Sequence, residues 1–94
     1  MTSYTWSDEK DDVVRTDPGR RGVGFDECVK AIEAGRILGI FPNPSRNHQG
    51  QQMFVLNIDD YAYCVPFVET ETGVFLKTVY PSRRFTALYL RRRQ

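Results

Sequence analysis

Between Gln52 and Tyr80 the chain carries three apolar, alternating stretches, about Gln52 to Ile58, Tyr61 to Glu69 and Val74 to Tyr80. They are joined by Asp59-Asp60 and by Thr70 to Gly73. A parallel crossover needs about a dozen residues or more, so connections this short force neighbouring strands to run antiparallel. The spacing therefore predicts an antiparallel meander. Pro66 falls inside the second stretch and has no N–H for a ladder, which implies a bulge or an outward-facing position there. Arg36 to Phe41 reads as a further short strand, ended by Pro42-Asn43-Pro44. Ser45 to Gln51 is a polar loop, and Tyr4 and Trp6 bracket a short edge strand.

Three helices surround these strands. Ser7 offers a hydroxyl cap, with Asp8 and Glu9 in the first turn behind it, and Asp17-Pro18-Gly19 must end that helix. From Phe25 to about Ala34, Phe25, Cys28, Val29 and Ile32 fall at i, i+3, i+4 and i+7, one apolar face, and Gly35 closes the turn. Gly24 stands at the cap position, where Ser or Asp is usual. Ser82 caps a final helix, Arg83 to about Arg92, with Phe85, Leu88 and Tyr89 as its packing face. The expected fold is α+β: a small antiparallel meander with two N-terminal helices and one C-terminal helix laid on one face. A chain of 94 residues suits a single domain over 1–94. No run approaches the roughly 20 apolar residues of a membrane span, and Met1 to Asp12 has no signal-peptide pattern. The expected location is cytoplasmic, with no membrane partner. Cys28 and Cys64 read as reduced core residues.

The net charge of +1 hides an asymmetry. Asp8, Glu9, Asp11 and Asp12 make the start acidic. From Lys77 to Gln94 there are Lys77, Arg83, Arg84, Arg91, Arg92 and Arg93, and no acid. Such a split points to an anionic partner at the C-terminal end; Arg91 to Arg93 also suit a helix C-terminus. The most informative run is Lys77-Thr78-Val79-Tyr80-Pro81-Ser82-Arg83-Arg84. Alternation puts Phe75, Lys77 and Val79 on one face, with Leu76, Thr78 and Tyr80 on the other. Arg83 and Arg84 place positive charge at a helix terminus that already attracts anions. Free N–H groups, the Ser82 hydroxyl and two guanidinium forks make a phosphate site. The competing reading pairs these arginines with acids of the first helices.

Arg20-Arg21, before Gly22-Val23-Gly24, is a second cationic point, where glycine lets the backbone turn sharply. His48, the one histidine, sits in the polar loop and has a pKa suited to acid–base work if the chain is an enzyme. The chain has no HExxH, GxGxxG, P-loop or nucleophile elbow. It clusters no metal ligands, so neither metal nor cofactor is expected. Asp59 and Asp60 read as turn formers, and Tyr61, Tyr63 and Phe67 as core.

Taken together these residues resemble the BrnT-like ribonuclease toxins. The resemblance rests on Trp6-Ser7-Asp8-Glu9-Lys10, Arg20-Arg21-Gly22-Val23-Gly24-Phe25-Asp26-Glu27, Tyr63-Cys64-Val65-Pro66-Phe67-Val68-Glu69 and Phe75-Leu76-Lys77-Thr78-Val79-Tyr80-Pro81-Ser82-Arg83-Arg84. It covers nearly the whole chain, through the order and spacing of these pieces. It implies a RelE-like fold and a metal-independent RNA endonuclease of a type II toxin–antitoxin system. The implied partners are an RNA substrate and a cognate antitoxin of ribbon-helix-helix or helix-turn-helix type, with DNA met only through the antitoxin. In that chemistry the ribose 2′-hydroxyl attacks the adjacent phosphorus, which calls for a base, an acid and cations. Arg83 and Arg84 match the family's C-terminal arginine region. Arg21 stands where the wider family often has His, so Lys77 and Tyr80 take the acid–base role if nearby cations depress their pKa values. Ser82, Arg20 and His48 complete the candidate substrate contacts. The alternatives are a non-catalytic nucleic-acid-binding module and a protein-interaction subunit whose arginines meet an acidic partner.

Overall fold

The computed structural model describes residues 2–42 and 51–90. His48 and its polar loop, and Arg91 to Arg93, lie outside the described residues. In chain order the elements are β1 (Ser3–Thr5), α1 (Asp8–Thr16), a 3-10 turn (Pro18–Arg20), α2 (Phe25–Glu33), β2 (Ile37–Pro42), β3 (Gln52–Ile58), β4 (Tyr61–Thr70), β5 (Gly73–Leu76), β6 (Tyr80–Pro81) and α3 (Arg83–Leu90). The class is α+β, with one sheet and three helices. No helix among the described residues is long and apolar enough to cross a membrane.

The sheet order is β1-β5-β4-β3-β2, with β6 also paired to β4. β2–β3, β3–β4, β4–β5 and β4–β6 are antiparallel, and for β3–β4 and β4–β5 the short connections require it. Asp59 and Asp60 turn β3 into β4 with φ of 54° and 63°, the doubly left-handed hairpin turn that Asp tolerates. The sheet is nevertheless mixed, not wholly antiparallel, because β1 runs parallel to β5. Gly73 permits that approach: a Cβ there would lie 2.1 Å from the Ser3 carbonyl oxygen.

The last strand departs most from expectation. β5 stops at Leu76 and the chain leaves the sheet before β6, so the alternation read from Phe75 to Tyr80 fails. Leu76 and Val79, assigned to opposite faces, are both fully buried in one cluster. Pro81 lies within β6 instead of ending the preceding strand. The Pro66 carbonyl accepts from the Lys77 N–H at 2.8 Å. In a strand the N–H and C=O of one residue point to the same side. The missing Pro66 donor therefore faces the gap between β5 and β6 and takes no bond from the β3 ladder.

The helices do not share one face. Val14 of α1 and Phe25, Cys28, Ala31 and Ile32 of α2 pack with Phe54, Leu56, Tyr63, Val65 and Phe67. Alternation sends Met53, Val55, Ala62 and Cys64 to the other side, where Phe85 of α3 meets them together with Phe41. The sheet is thus covered on both faces. The packing face of α3 is also shifted. Thr86 is buried, whereas Leu88, expected inside, is 54% exposed. Cys28 and Cys64 are buried and free, on opposite sides of the sheet.

Candidate functional site

The N-terminus of α3 is built by its own cap and by β4. Ser82 Oγ accepts from the Phe85 N–H at 3.1 Å, and the Ser82 carbonyl accepts from the Thr86 N–H at 3.1 Å. The Ser82 N–H donates to the Ala62 carbonyl at 2.8 Å, and Thr86 Oγ1 accepts from the Ala62 N–H at 2.8 Å. These bonds tie the first turn to the edge of β4. Helix geometry leaves the first N–H groups, those of Arg83 and Arg84, without intrahelical acceptors. Both side chains are exposed. Among the described residues neither forms an ion pair; the acids of α1 and α2 that do form one, Asp11, Asp26 and Glu27, are held by Arg15. With α3 on the far side of the sheet from those helices, the competing pairing falls away. What remains is concentrated positive charge beside open backbone donors, an arrangement that attracts oxyanions.

Tyr80 is in register with Cys64 and so shares the α3 face. Its hydroxyl donates to Met53 Sδ at 3.4 Å. Burial, with the Cys64 thiol alongside, pushes the Tyr80 phenol above its ordinary pKa. The depressed pKa expected from nearby cations is thus reversed in direction: Tyr80 stays protonated, with its proton turned inward. Burial also raises the Cys64 thiol, against hydrogen bonding from Ser82 and Tyr80. Lys77 is exposed, with Nζ 5.6 Å from the centre of the Phe75 ring.

Arg20 and Arg21 belong to the opposite face. Arg20 Nε donates to the Val79 carbonyl at 2.6 Å, and its guanidinium pairs with Asp17. It fastens the 3-10 turn to the strand gap, a structural task. Arg21 closes that turn in the left-handed region, φ 56°, followed by Gly22 at 76°. Its guanidinium lies 4.3 Å from the centre of the Tyr61 ring, a cation–π contact. Burial pushes the neighbouring Tyr63 phenol up, opposed by the adjacent Arg21 charge. Six of the candidate residues therefore fall into two groups bracketing the Tyr61-Ala62 end of β4: Tyr80, Ser82, Arg83 and Arg84 on one face, Arg20 and Arg21 on the other; Lys77, whose N–H bonds the Pro66 carbonyl, joins neither. Tyr63 and Phe67 are core, as expected.

Sequence reasoning missed a groove on the α2 side of the β1 edge, a cavity of about 410 Å³. Thr2, Tyr4 and Trp6 line it from the strand, and Asp26, Val29, Lys30 and Glu33 from the helix. The signal was present: one set has period two, and the other is i, i+3, i+4, i+7. Comparison with protein-family models, with curated proteins and with solved structures gives no match to this chain.

Proposed function

We propose that the chain is a cytoplasmic RNA endonuclease toxin of a type II toxin–antitoxin pair, RelE-like in fold and similar to the BrnT-like toxins, with the scissile phosphate held at the start of α3. The observation that carries this reading is the pair of exposed first-turn arginines without a carboxylate partner among the described residues. Cations at a helix N-terminus are unfavourable unless an anion answers them. In the reaction the 2′-oxygen bonds to phosphorus as the P–O5′ bond breaks, giving a cyclic phosphate and a free 5′-hydroxyl. The 2′ proton passes to solvent and the 5′-oxygen takes one up. Arg83 and Arg84 stabilise the charge that builds on the phosphoryl oxygens, and the reading calls for no metal. The cognate antitoxin, a small DNA-binding protein, covers the basic end and brings DNA into contact only indirectly.

The test is RNA cleavage by purified protein and by Arg83→Ala. The variant is expected to lose about ten- to a hundredfold in rate, the worth of one charged hydrogen bond to phosphate, with an unchanged circular dichroism spectrum. Cells expressing it should grow normally where the parent slows them. If Arg83→Ala cleaves at the parental rate and His48→Ala is inactive, the site moves to the polar loop. The inward-turned, protonated Tyr80 favours a second reading, a module that binds nucleic acid without cutting it. That reading predicts salt-dependent binding of RNA that stays intact.

A further inference from the structure

In an unbroken strand Phe75 and Tyr80, five positions apart, would face opposite sides of the sheet. The break after Leu76 brings them to one side. Phe75 stands opposite Val68 of β4 and Tyr80 opposite Cys64, and by alternation those two residues of β4 share the α3 face. Val68 and Phe75 are half-buried and join neither apolar cluster. Tyr80 is 36% exposed. Its hydroxyl reaches Met53 on β3, so the ring lies across β4 with one side outward. Cations fall between and beyond the two rings. The Lys77 N–H bonds Pro66, which lies between Val68 and Cys64, and Lys77 Nζ is 5.6 Å from the Phe75 ring centre. Arg83 and Arg84 follow Ser82, whose N–H bonds Ala62. Along the edge of β4 the order is therefore ring, cation, ring, two cations. Lys77, Arg83 and Arg84 are exposed, and none forms an ion pair among the described residues. The nearest acids in sequence, Glu69 and Glu71, fall on the other face and in the turn beyond Phe75.

We infer that this row is a track for single-stranded RNA: bases stack on Phe75 and Tyr80, and the backbone passes Lys77 to reach Arg83 and Arg84. The inference rests on the proposed phosphate site at the start of α3 and extends it along the substrate. The β4 partners of the two rings are four residues apart, about 13 Å of strand. Stacked bases of a duplex strand are only roughly 3.4 Å apart, so two bases on these rings belong to a strand that is opened out. Cations alone would suit an acidic peptide equally well. The rings set between them decide for nucleic acid, because unpaired bases stack on aromatic side chains and carboxylates do not. The track also gives Tyr80 a task that matches its inward-turned hydroxyl. A ring fixed from its far edge is a platform, and no proton needs to leave it.

Binding to the whole chain is read by fluorescence anisotropy of a labelled 2′-O-methyl RNA dodecamer, whose capped 2′-oxygens prevent cleavage. The single strand is compared with the same strand annealed to its complement, and an oligoglutamate peptide is added as competitor. The single strand is expected to bind more tightly than the duplex, and oligoglutamate to displace it poorly. Phe75→Leu and Tyr80→Leu remove a ring and keep apolar bulk. Each should weaken binding about five- to a hundredfold, the worth of one stacked base, with the salt dependence unchanged. Phe75→Tyr keeps the ring and should keep the affinity. Lys77→Gln should reduce the slope of log affinity against log salt by about 0.7, one phosphate of a single strand. Circular dichroism checks the fold of each variant, and Lys77→Gln, at an exposed position, keeps the test decisive should a ring variant unfold. Equal binding of duplex and single strand, parental affinity in both leucine variants, or an unchanged slope in Lys77→Gln would each overturn the track. Efficient displacement by oligoglutamate would put an acidic protein in place of RNA. Because the probe cannot be cut, the track and the cleavage reading fail separately. Loss of cleavage in Arg83→Ala beside parental binding in Phe75→Leu removes the track alone. Ring-dependent binding by a protein that leaves ordinary RNA intact removes cleavage alone.

Discussion

At the scale of single residues, the clearest departure from local rules is Gly24. A helix start normally carries its own side-chain cap, and glycine has none to give. The structure supplies the cap from another helix. Asp11 Oδ1 accepts from the Phe25 N–H at 3.1 Å, while its Oδ2 accepts from Arg15 Nε at 2.9 Å. Arg15 reaches on to Asp26 at 2.9 Å, and a Cβ on Gly24 would come within 2.8 Å of that guanidinium. Glycine stands there because the arginine needs the space. Asp11→Ala should therefore destabilise the protein by about 1–2 kcal/mol, a cap's worth, although Asp11 belongs to a different helix. Urea unfolding measures this, and an effect within about 0.5 kcal/mol, usual for a surface change, would contradict the shared cap. The Ser7 cap of α1, by contrast, was legible because donor and acceptor lie within one turn: Ser7 Oγ accepts from the Lys10 N–H at 3.3 Å.

At the scale of elements, α3 shows how an apolar pattern misleads when a helix meets a sheet edge. Phe85, Leu88 and Tyr89 make an acceptable stripe, yet the residue turned fully inward is Thr86. Its hydroxyl donates to the Ser82 carbonyl at 2.7 Å and accepts from the buried Ala62 N–H at 2.8 Å. With the Ser82 N–H on the Ala62 carbonyl, this group ties the helix to β4 and so aims the Arg83-Arg84 turn. Thr86→Val keeps the shape and strands the Ala62 donor, with an expected cost of about 1–3 kcal/mol. Leu88→Ala should stay within about 0.5 kcal/mol. Equal effects in thermal or denaturant unfolding would restore the packing face read from sequence. The break between β5 and β6 was foreshadowed by Pro66. The proline marked a missing ladder bond, but its side of the strand became known only from the Lys77 partner.

At the scale of the whole molecule, the sheet is a shared wall between two apolar clusters, each enclosing a thiol. Burial pushes Cys28, on the α1 and α2 side, up to about 12 from an ordinary 9.0. Cys64, Tyr63 and Tyr80 shift in the same direction, each chiefly by burial. These groups keep their protons in the folded chain at pH values where the unfolded chain releases them. The Cys28 contribution to stability is complete below about pH 9 and declines as pH rises toward about 12. The urea midpoint should fall as pH rises above about 9, and Cys28→Ala should flatten part of that fall. A decline unchanged in Cys28→Ala would assign the effect to the other groups.

Local chemistry determined much of this protein. Turn residues, caps and two- or four-residue connections set the positions of α1, α2, β3 and β4, because each signal acts within a few residues. They also made the Arg83-Arg84 helix start conspicuous, since the conflict with the helix dipole is itself local. Tertiary structure alone decided which face of the sheet each helix covers. It also decided that β1 joins the far edge in parallel, and that the basic residues split into two groups across β4. Those outcomes depend on pairings between distant residues, such as Ser3 with Gly73, Asp11 with Phe25 and Thr86 with Ala62. No local pattern records them, because a buried donor is satisfied by whichever acceptor the packed chain brings within reach.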